Sequence, residues 1–123
     1  MENISDPRIK EICKEHNLDV MILFGSKVTG ITHPESDTDI AIKAASELSL
    51  PELLSLGAKL DKIFGDTDVV DMNTAPPLLL GAITHNGKVL YESTPGLGVT
   101  ARVWGMNQYL DYEPYLRRMR QGI

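Results

Sequence analysis

Two aspartates, Asp37 and Asp39, stand two positions apart at the head of an apolar run, ten residues after Gly25-Ser26 closes an earlier one. On a strand, residues i and i+2 face the same side. Two carboxylates held that close repel unless a cation lies between them. Mg²⁺ is a hard ion commonly held by one or two carboxylates together with substrate phosphates. A Gly-Ser turn offers open backbone N–H groups and a hydroxyl, which suit a triphosphate tail. A third carboxylate on the next strand, Asp68 or Asp71, would complete a two-metal site that activates an attacking oxygen and stabilises a leaving pyrophosphate. Asp-x-Asp or Gly-Ser alone is a common solvated turn. The signal is their combination, each placed against a strand.

Those residues need elements to hold them. Ile9, Ile12, Cys13 and His16 recur at helical spacing after Asp6-Pro7, which predicts a capped helix over 7–16. Cys13 lies on its apolar stripe and reads as a small core residue. Asp19 to Phe24 is an apolar, β-favouring run stopped by Gly25-Ser26. Residues 27–38 are polar and rich in turn formers, with room for one short helical turn and with His33 as a solvated loop residue. A second strand runs from Asp39 to Lys43, with Ile40 and Ile42 on one face.

Ser49-Leu50-Pro51-Glu52 is a capping box for a helix that carries Leu53, Leu56, Leu60, Ile63 and Phe64 and ends at Gly65. Asp68 to Met72 is a third strand. Thr74 is expected to cap a helix opening on Pro76-Pro77 and running to about His85, and Asn86-Gly87 to turn into a fourth strand, Lys88 to Tyr91. A last helix is expected from near Thr100 to Tyr112, with Pro114 either kinking it or starting another that ends near Gln121. This alternation predicts an α/β (α+β) fold, a small mixed sheet of about four strands with helices packed on it.

The 123 residues allow one domain, and 42% hydrophobic with 24% charged residues is an ordinary globular composition. The formal charge of −5 argues against a binder of bare duplex nucleic acid. One cysteine excludes an intramolecular disulfide and points to a reducing, cytoplasmic setting. No secretory signal or membrane-spanning run is expected. Trp104, Tyr109, Tyr112 and Tyr115 interleave with Arg102, Arg117, Arg118 and Arg120, a mixture typical of interaction surfaces. Segment 100–121 is therefore the expected partner-binding region.

Gly25-Ser26, ten residues, then Asp37-x-Asp39 resembles the signature of the DNA polymerase β-like nucleotidyltransferases, and more narrowly of the minimal nucleotidyltransferase (MNT) antitoxins. Asp68 to Leu79, Lys88 to Glu92 and the Tyr109-x-Asp111-x-x-Pro114 segment resemble the corresponding antitoxin segments, so the likeness spans nearly the whole chain. It implies a single nucleotidyltransferase domain over 1–123. It also implies an Mg²⁺-dependent enzyme that moves AMP from ATP to a tyrosine of a cognate HEPN-domain RNase toxin and forms a hetero-oligomer with it.

Carried over by position, Asp37, Asp39 and Asp68 would be the catalytic and metal-binding carboxylates. Gly25, Ser26 and Lys27 would hold the nucleotide's phosphates. Lys27 stands where the family has Arg and Thr29 where a second Arg is frequent, and Lys lacks the bidentate fork of Arg. The alignment selects Asp68 over Asp71. By strand parity the two face opposite sides, which leaves Asp71 as a surface or helix-entry carboxylate. Two other readings stand beside this one. The first is a binding module that neutralises its toxin by occlusion with little catalysis. The second is a nucleotidyltransferase for a small molecule such as an aminoglycoside, which the length disfavours because those enzymes carry an added acceptor domain.

Overall fold

The computed structural model describes residues 6–25 and 37–122. The elements run Pro7–Glu15 (α1), Val20–Phe24 (β1), Thr38–Lys43 (β2), Leu50–Phe64 (α2), Thr67–Asp71 (β3), Pro77–Asn86 (α3), Lys88–Glu92 (β4) and Leu97–Arg120 (α4). The expected α+β arrangement is what forms: among the described residues, four helices pack on a four-stranded mixed sheet. The short helical turn expected within 27–38 falls almost wholly outside the described residues.

The sheet order is β3-β2-β1-β4. β1 pairs antiparallel with both β2 and β4, while β2 and β3 are parallel. Parallel neighbours need a crossover, and α2 supplies it. Its capping box forms as expected: Glu52 N–H donates to Ser49 Oγ at 3.3 Å and Ser49 N–H to Glu52 Oε1 at 3.4 Å. The helix stops at Gly65, which takes φ +85°, a left-handed backbone that favours glycine.

Strand alternation splits the sheet into two apolar faces. One face carries Met21, Ile40 and Ile42 against Ile9, Ile12 and Cys13 of α1 and Leu56 and Leu60 of α2. The other carries Val20, Ile22, Phe24 and Ala41 against Leu80 and Ile83 of α3 and Ala101 of α4. Cys13 is a fully buried free thiol, pushed up to about 12 by that burial, so it behaves as the small core residue its stripe implied.

Two details differ from the expectations, and at Pro114 the alternative of a second helix is set aside. Thr74 does not cap α3; its hydroxyl donates to the Asp71 carbonyl at 3.3 Å, and Pro76 sits at the N-cap without a side-chain bond. Pro77 at the first helical position has no N–H, so one of the helix's open donors is absent. Next, α4 begins at Leu97, three residues before Thr100. Glu92, at the end of β4, caps it from a distance by accepting from Gly96 N–H at 3.2 Å and Gly98 N–H at 2.8 Å. Finally, α4 runs through Pro114 as one helix. Leu110, whose carbonyl loses its N–H partner to the proline, is exposed, so water can take that partner's place.

α3 and α4 approach closely where glycine leaves room. A Cβ at Gly105 would lie 2.6 Å from Thr84 Cγ2, and one at Gly81 would lie 2.6 Å from Tyr109 Cδ1. Thr84 is buried, with its hydroxyl donating to the Leu80 carbonyl at 2.8 Å, and so cannot yield. Gly105→Val is expected to destabilise the fold by about 1–3 kcal/mol through overpacking, read as a lower urea midpoint at unchanged m-value.

Candidate functional site

Parallel pairing of β2 with β3 sets Asp39 directly beside Asp68, and antiparallel pairing with β1 sets Asp39 opposite Phe24. Adjacent paired positions share a face, so both carboxylates project from the α3/α4 side of the sheet, at the end where β1 stops. Asp37 lies one residue ahead of β2 and is exposed, and the intervening Thr38 is buried. The sheet thus gathers Asp37, Asp39 and Asp68 at one place.

The three sense one another. The Asp39 carboxyl is held above the ordinary carboxylate range, first by partial burial, then by the charge of Asp68, then by that of Asp37. This is the behaviour of like charges held near one another at a partly buried position. As they stand the side chains do not converge to coordinating distance; among the described residues no group of three His, Cys, Asp or Glu side chains does. The donors are all carboxylate oxygens, and their mutual repulsion is the kind a hard divalent cation relieves, so the residues fit Mg²⁺.

Gly25 follows β1 directly with φ +81°, and a Cβ there would collide with Asp39 Oδ2 and sit 3.1 Å from Asp39 Cγ. The sequence offers Gly25 only as an open turn beside phosphates. The fold adds a separate demand: the space of its absent side chain is taken by the Asp39 carboxylate. No sequence signal carries this, because the two are brought together by the β1–β2 pairing. Ser26, Lys27, Thr29 and His33 lie outside the described residues.

Asp71 goes elsewhere. It sits on the α1/α2 face, buried to 4% exposure, and both its oxygens are engaged. Leu48 N–H donates to Oδ2 at 2.8 Å and Asn73 N–H to Oδ1 at 2.9 Å. The expectation of a surface carboxylate is corrected to a buried one, because loop 44–49 folds over it. Its other half, helix entry, describes what the side chain does, since Leu48 immediately precedes the N-cap of α2. A separate cavity of about 220 Å³, lined by Asp19, Val20, Lys43 and Trp104, lies at the opposite end of β1 and β2 from Asp39. Lys43 there stacks over the Trp104 ring at 4.9 Å and donates to Asn73 Oδ1 at 3.0 Å.

A mixed sheet with a crossover helix, a glycine turn after the first strand and acidic residues level on the next two strands define a nucleotidyltransferase. The chain belongs to the polymerase beta nucleotidyltransferase family, whose model matches residues 7–95. Among particular relatives it is similar to the protein adenylyltransferase MntA of Shewanella oneidensis. The two are 31% identical over 94 residues, which cover 74% of this chain and 68% of the relative. Its structure resembles the crystal structure of a toxin–antitoxin with AMP-PNP, with TM-score 0.82 and 26% identity over 96% of this chain and 97% of that one. The same fold also recurs in a complex of a tri-AMPylated Shewanella oneidensis HEPN toxin with MNT antitoxin, with TM-score 0.77 and 23% identity over 99% of this chain and 98% of that one.

Two outcomes separate the carboxylates. A raised folded-state pKa means that Asp39 contributes stability below its unfolded value of 3.8, and that this is lost as pH rises through the folded value. At pH 7 Asp39→Asn should therefore raise the melting temperature of the metal-free protein. Mg²⁺ should stabilise the native chain and not this variant. Asp71→Ala should instead cost ~2–4 kcal/mol, because it strands one buried and one partly buried N–H donor, and should leave the Mg²⁺ response in place. Differential scanning calorimetry with and without Mg²⁺ reads both.

Proposed function

We propose that this protein is an antitoxin adenylyltransferase that transfers AMP from ATP to a tyrosine of a cognate HEPN RNase toxin and so blocks the RNase. The observation that carries the reading is the level placement of Asp39 and Asp68 on paired strands, with Asp37 close enough to act on Asp39. Family membership and the similarity to an adenylyltransferase support it. The donor is ATP, in keeping with a structural relative that was crystallised with AMP-PNP. A cytoplasmic setting belongs to the same proposal, since both ATP and the RNA a toxin cuts are there. Among the described residues no helix is long and apolar enough to cross a membrane.

In this proposal Asp37, Asp39 and Asp68 hold Mg²⁺, and Gly25, Ser26 and Lys27 receive the β- and γ-phosphates. Bound Mg²⁺ would neutralise charge on the phosphates and polarise the reacting oxygens. Asp68, on the outer strand of the pair, takes the phenolic proton of the acceptor tyrosine. The tyrosine oxygen forms its bond to the α-phosphorus, the bond from that phosphorus to the bridging oxygen breaks, and the electron pair leaves with pyrophosphate. Asp39 sits between Asp68 and Asp37 and so feels the charge on either side. Its partial burial strengthens those interactions relative to bulk water. The exposed end of α4, with Tyr115 and Met119 uncovered among Arg117, Arg118 and Arg120, faces the partner in this reading, because exposed apolar groups mark contact surfaces.

The test is to incubate the protein with ATP, Mg²⁺ and its toxin and to follow adenylate mass on toxin tyrosines. Asp68→Asn and Asp39→Asn should each slow transfer by on the order of 10²–10⁴-fold, with the fold intact by circular dichroism. RNase protection that survives the combined Asp37→Asn and Asp39→Asn changes would overturn neutralisation by catalysis in favour of occlusion.

A further inference from the structure

β3 is an edge strand among the described residues, and its outer side is open. The parallel ladder determines which backbone groups face outward. Thr38 N–H donates to the Asp66 carbonyl at 2.9 Å and Met72 N–H to the Ile42 carbonyl at 2.8 Å. With the register Thr38↔Thr67 through Ile42↔Asp71, the even positions 66, 68, 70 and 72 bond to β2. Thr67, Val69 and Asp71 therefore turn their N–H and C=O groups away from the sheet. Two of these outward groups are paired at the strand's ends: Thr67 N–H donates to Asp61 Oδ1 at 2.9 Å, and the Asp71 carbonyl accepts from Thr74. The N–H and C=O of Val69, at the middle of the strand, have no such partner among the described residues.

Beside this edge lies a groove of about 400 Å³ lined by Leu50, Leu53, Leu54, Gly57, Thr67 and Val69. Leu50 is 67% exposed and Leu54 65%. An edge with free backbone groups and an adjacent apolar groove is the arrangement that accepts an added strand.

The chemistry around the edge selects the occupant. Asp61, Asp66, Asp68 and Asp37 are all exposed at its near end, while Lys62 of α2 lies in a separate groove with Arg8 and Glu11. A second copy of this chain pairing edge to edge would run antiparallel and set this acidic end against the far end of the other β3, where Lys43 is already engaged by Asn73 and Trp104. An extended segment carrying positive charge would be attracted. Such a strand would lie about 4.8 Å beyond β3, with alternate side chains entering the Leu50–Leu54 groove. The others would continue the row that runs from Asp39 to Asp68.

We propose that the free edge of β3 receives the acceptor segment of the toxin as a fifth strand, extended and cationic, and that this pairing sets the tyrosine beside Asp68. The inference rests on the adenylyltransferase reading for the identity of the segment. The site then obtains acceptor specificity from backbone pairing at Val69 and from the groove.

Amide hydrogen exchange on the intact protein, with and without saturating toxin, tests the pairing directly. Exchange at Val69 should slow by about tenfold or more in the complex. Unchanged exchange at Val69 overturns the inference, and so does protection that grows with the protein's own concentration in the absence of toxin. Val69→Pro removes the outward N–H, at a place where an edge strand tolerates proline, and trims a partly buried side chain. It should raise the KM for toxin by about tenfold or more while AMP-PNP affinity stays within about twofold. Should that variant not fold, Leu50→Lys with Leu54→Lys changes two exposed positions and places positive charge against the incoming segment; a wild-type KM there overturns the inference. Absence of AMP transfer by the native protein would instead overturn the adenylyltransferase reading, and the exchange measurement would still decide the edge.

Discussion

The parallel register between β2 and β3 is the constraint on which the rest of the structure depends. It sets Asp39 level with Asp68, and it does so at an electrostatic cost, since the Asp39 carboxyl is held above its ordinary range by burial and by its acidic neighbours. A slip of one residue would turn β3 over and exchange the faces of Asp68 and Asp71. The register is secured by burial. Ile40 and Ile42 are fully enclosed on one face and Ala41 on the other, so any slip in β3 breaks its match to a strand that cannot move. Stability stored in the apolar faces thus holds together charges that would otherwise separate.

The two acids of β3 show how one strand serves opposite ends. Asp68 is exposed and bonds to β2 through its backbone alone, which leaves its carboxylate available. Asp71, three residues on, points to the other face, where its oxygens take the N–H groups of Leu48 and Asn73. A buried charge with two donors is tolerated because each lone pair in use offsets desolvation. Its effect is architectural: it ties the entry of the crossover helix to the end of the strand which that helix must deliver. The same carboxylate chemistry yields a binding group or a brace according to strand parity.

The helical layer on the opposite face depends on side chains that are small or remote. α4 is started by Glu92 from the end of β4 and packs on α3 through Gly81 and Gly105. Its first half belongs to the core, while Tyr115 and Met119 in its second half are largely exposed. The site end of the sheet is left with a half-open cluster of acids beside an unpaired strand edge. An acceptor protein would then supply, on docking, both the missing strand and the missing positive charge.

Local chemistry made much of this protein legible in its sequence. The capping box at Ser49, the stop at Gly65, the helical stripe through Cys13 and the alternation around Ile40 each act within a few residues, so the four helices, the four strands and the α+β class could be read from them. The spacing of Gly25, Asp37 and Asp39 and the parity that divides Asp68 from Asp71 were legible for the same reason. The α4 start was not, because its cap comes from a side chain on a different element, and the continuity of the helix through Pro114 depends on Leu110 facing solvent. The burial of Asp71, the collision that forbids a side chain at Gly25 and the open edge at Val69 were decided only by tertiary structure. Each depends on which strand lies beside which. Sequence determines the residues and their faces, but only the folded sheet order determines what stands opposite them.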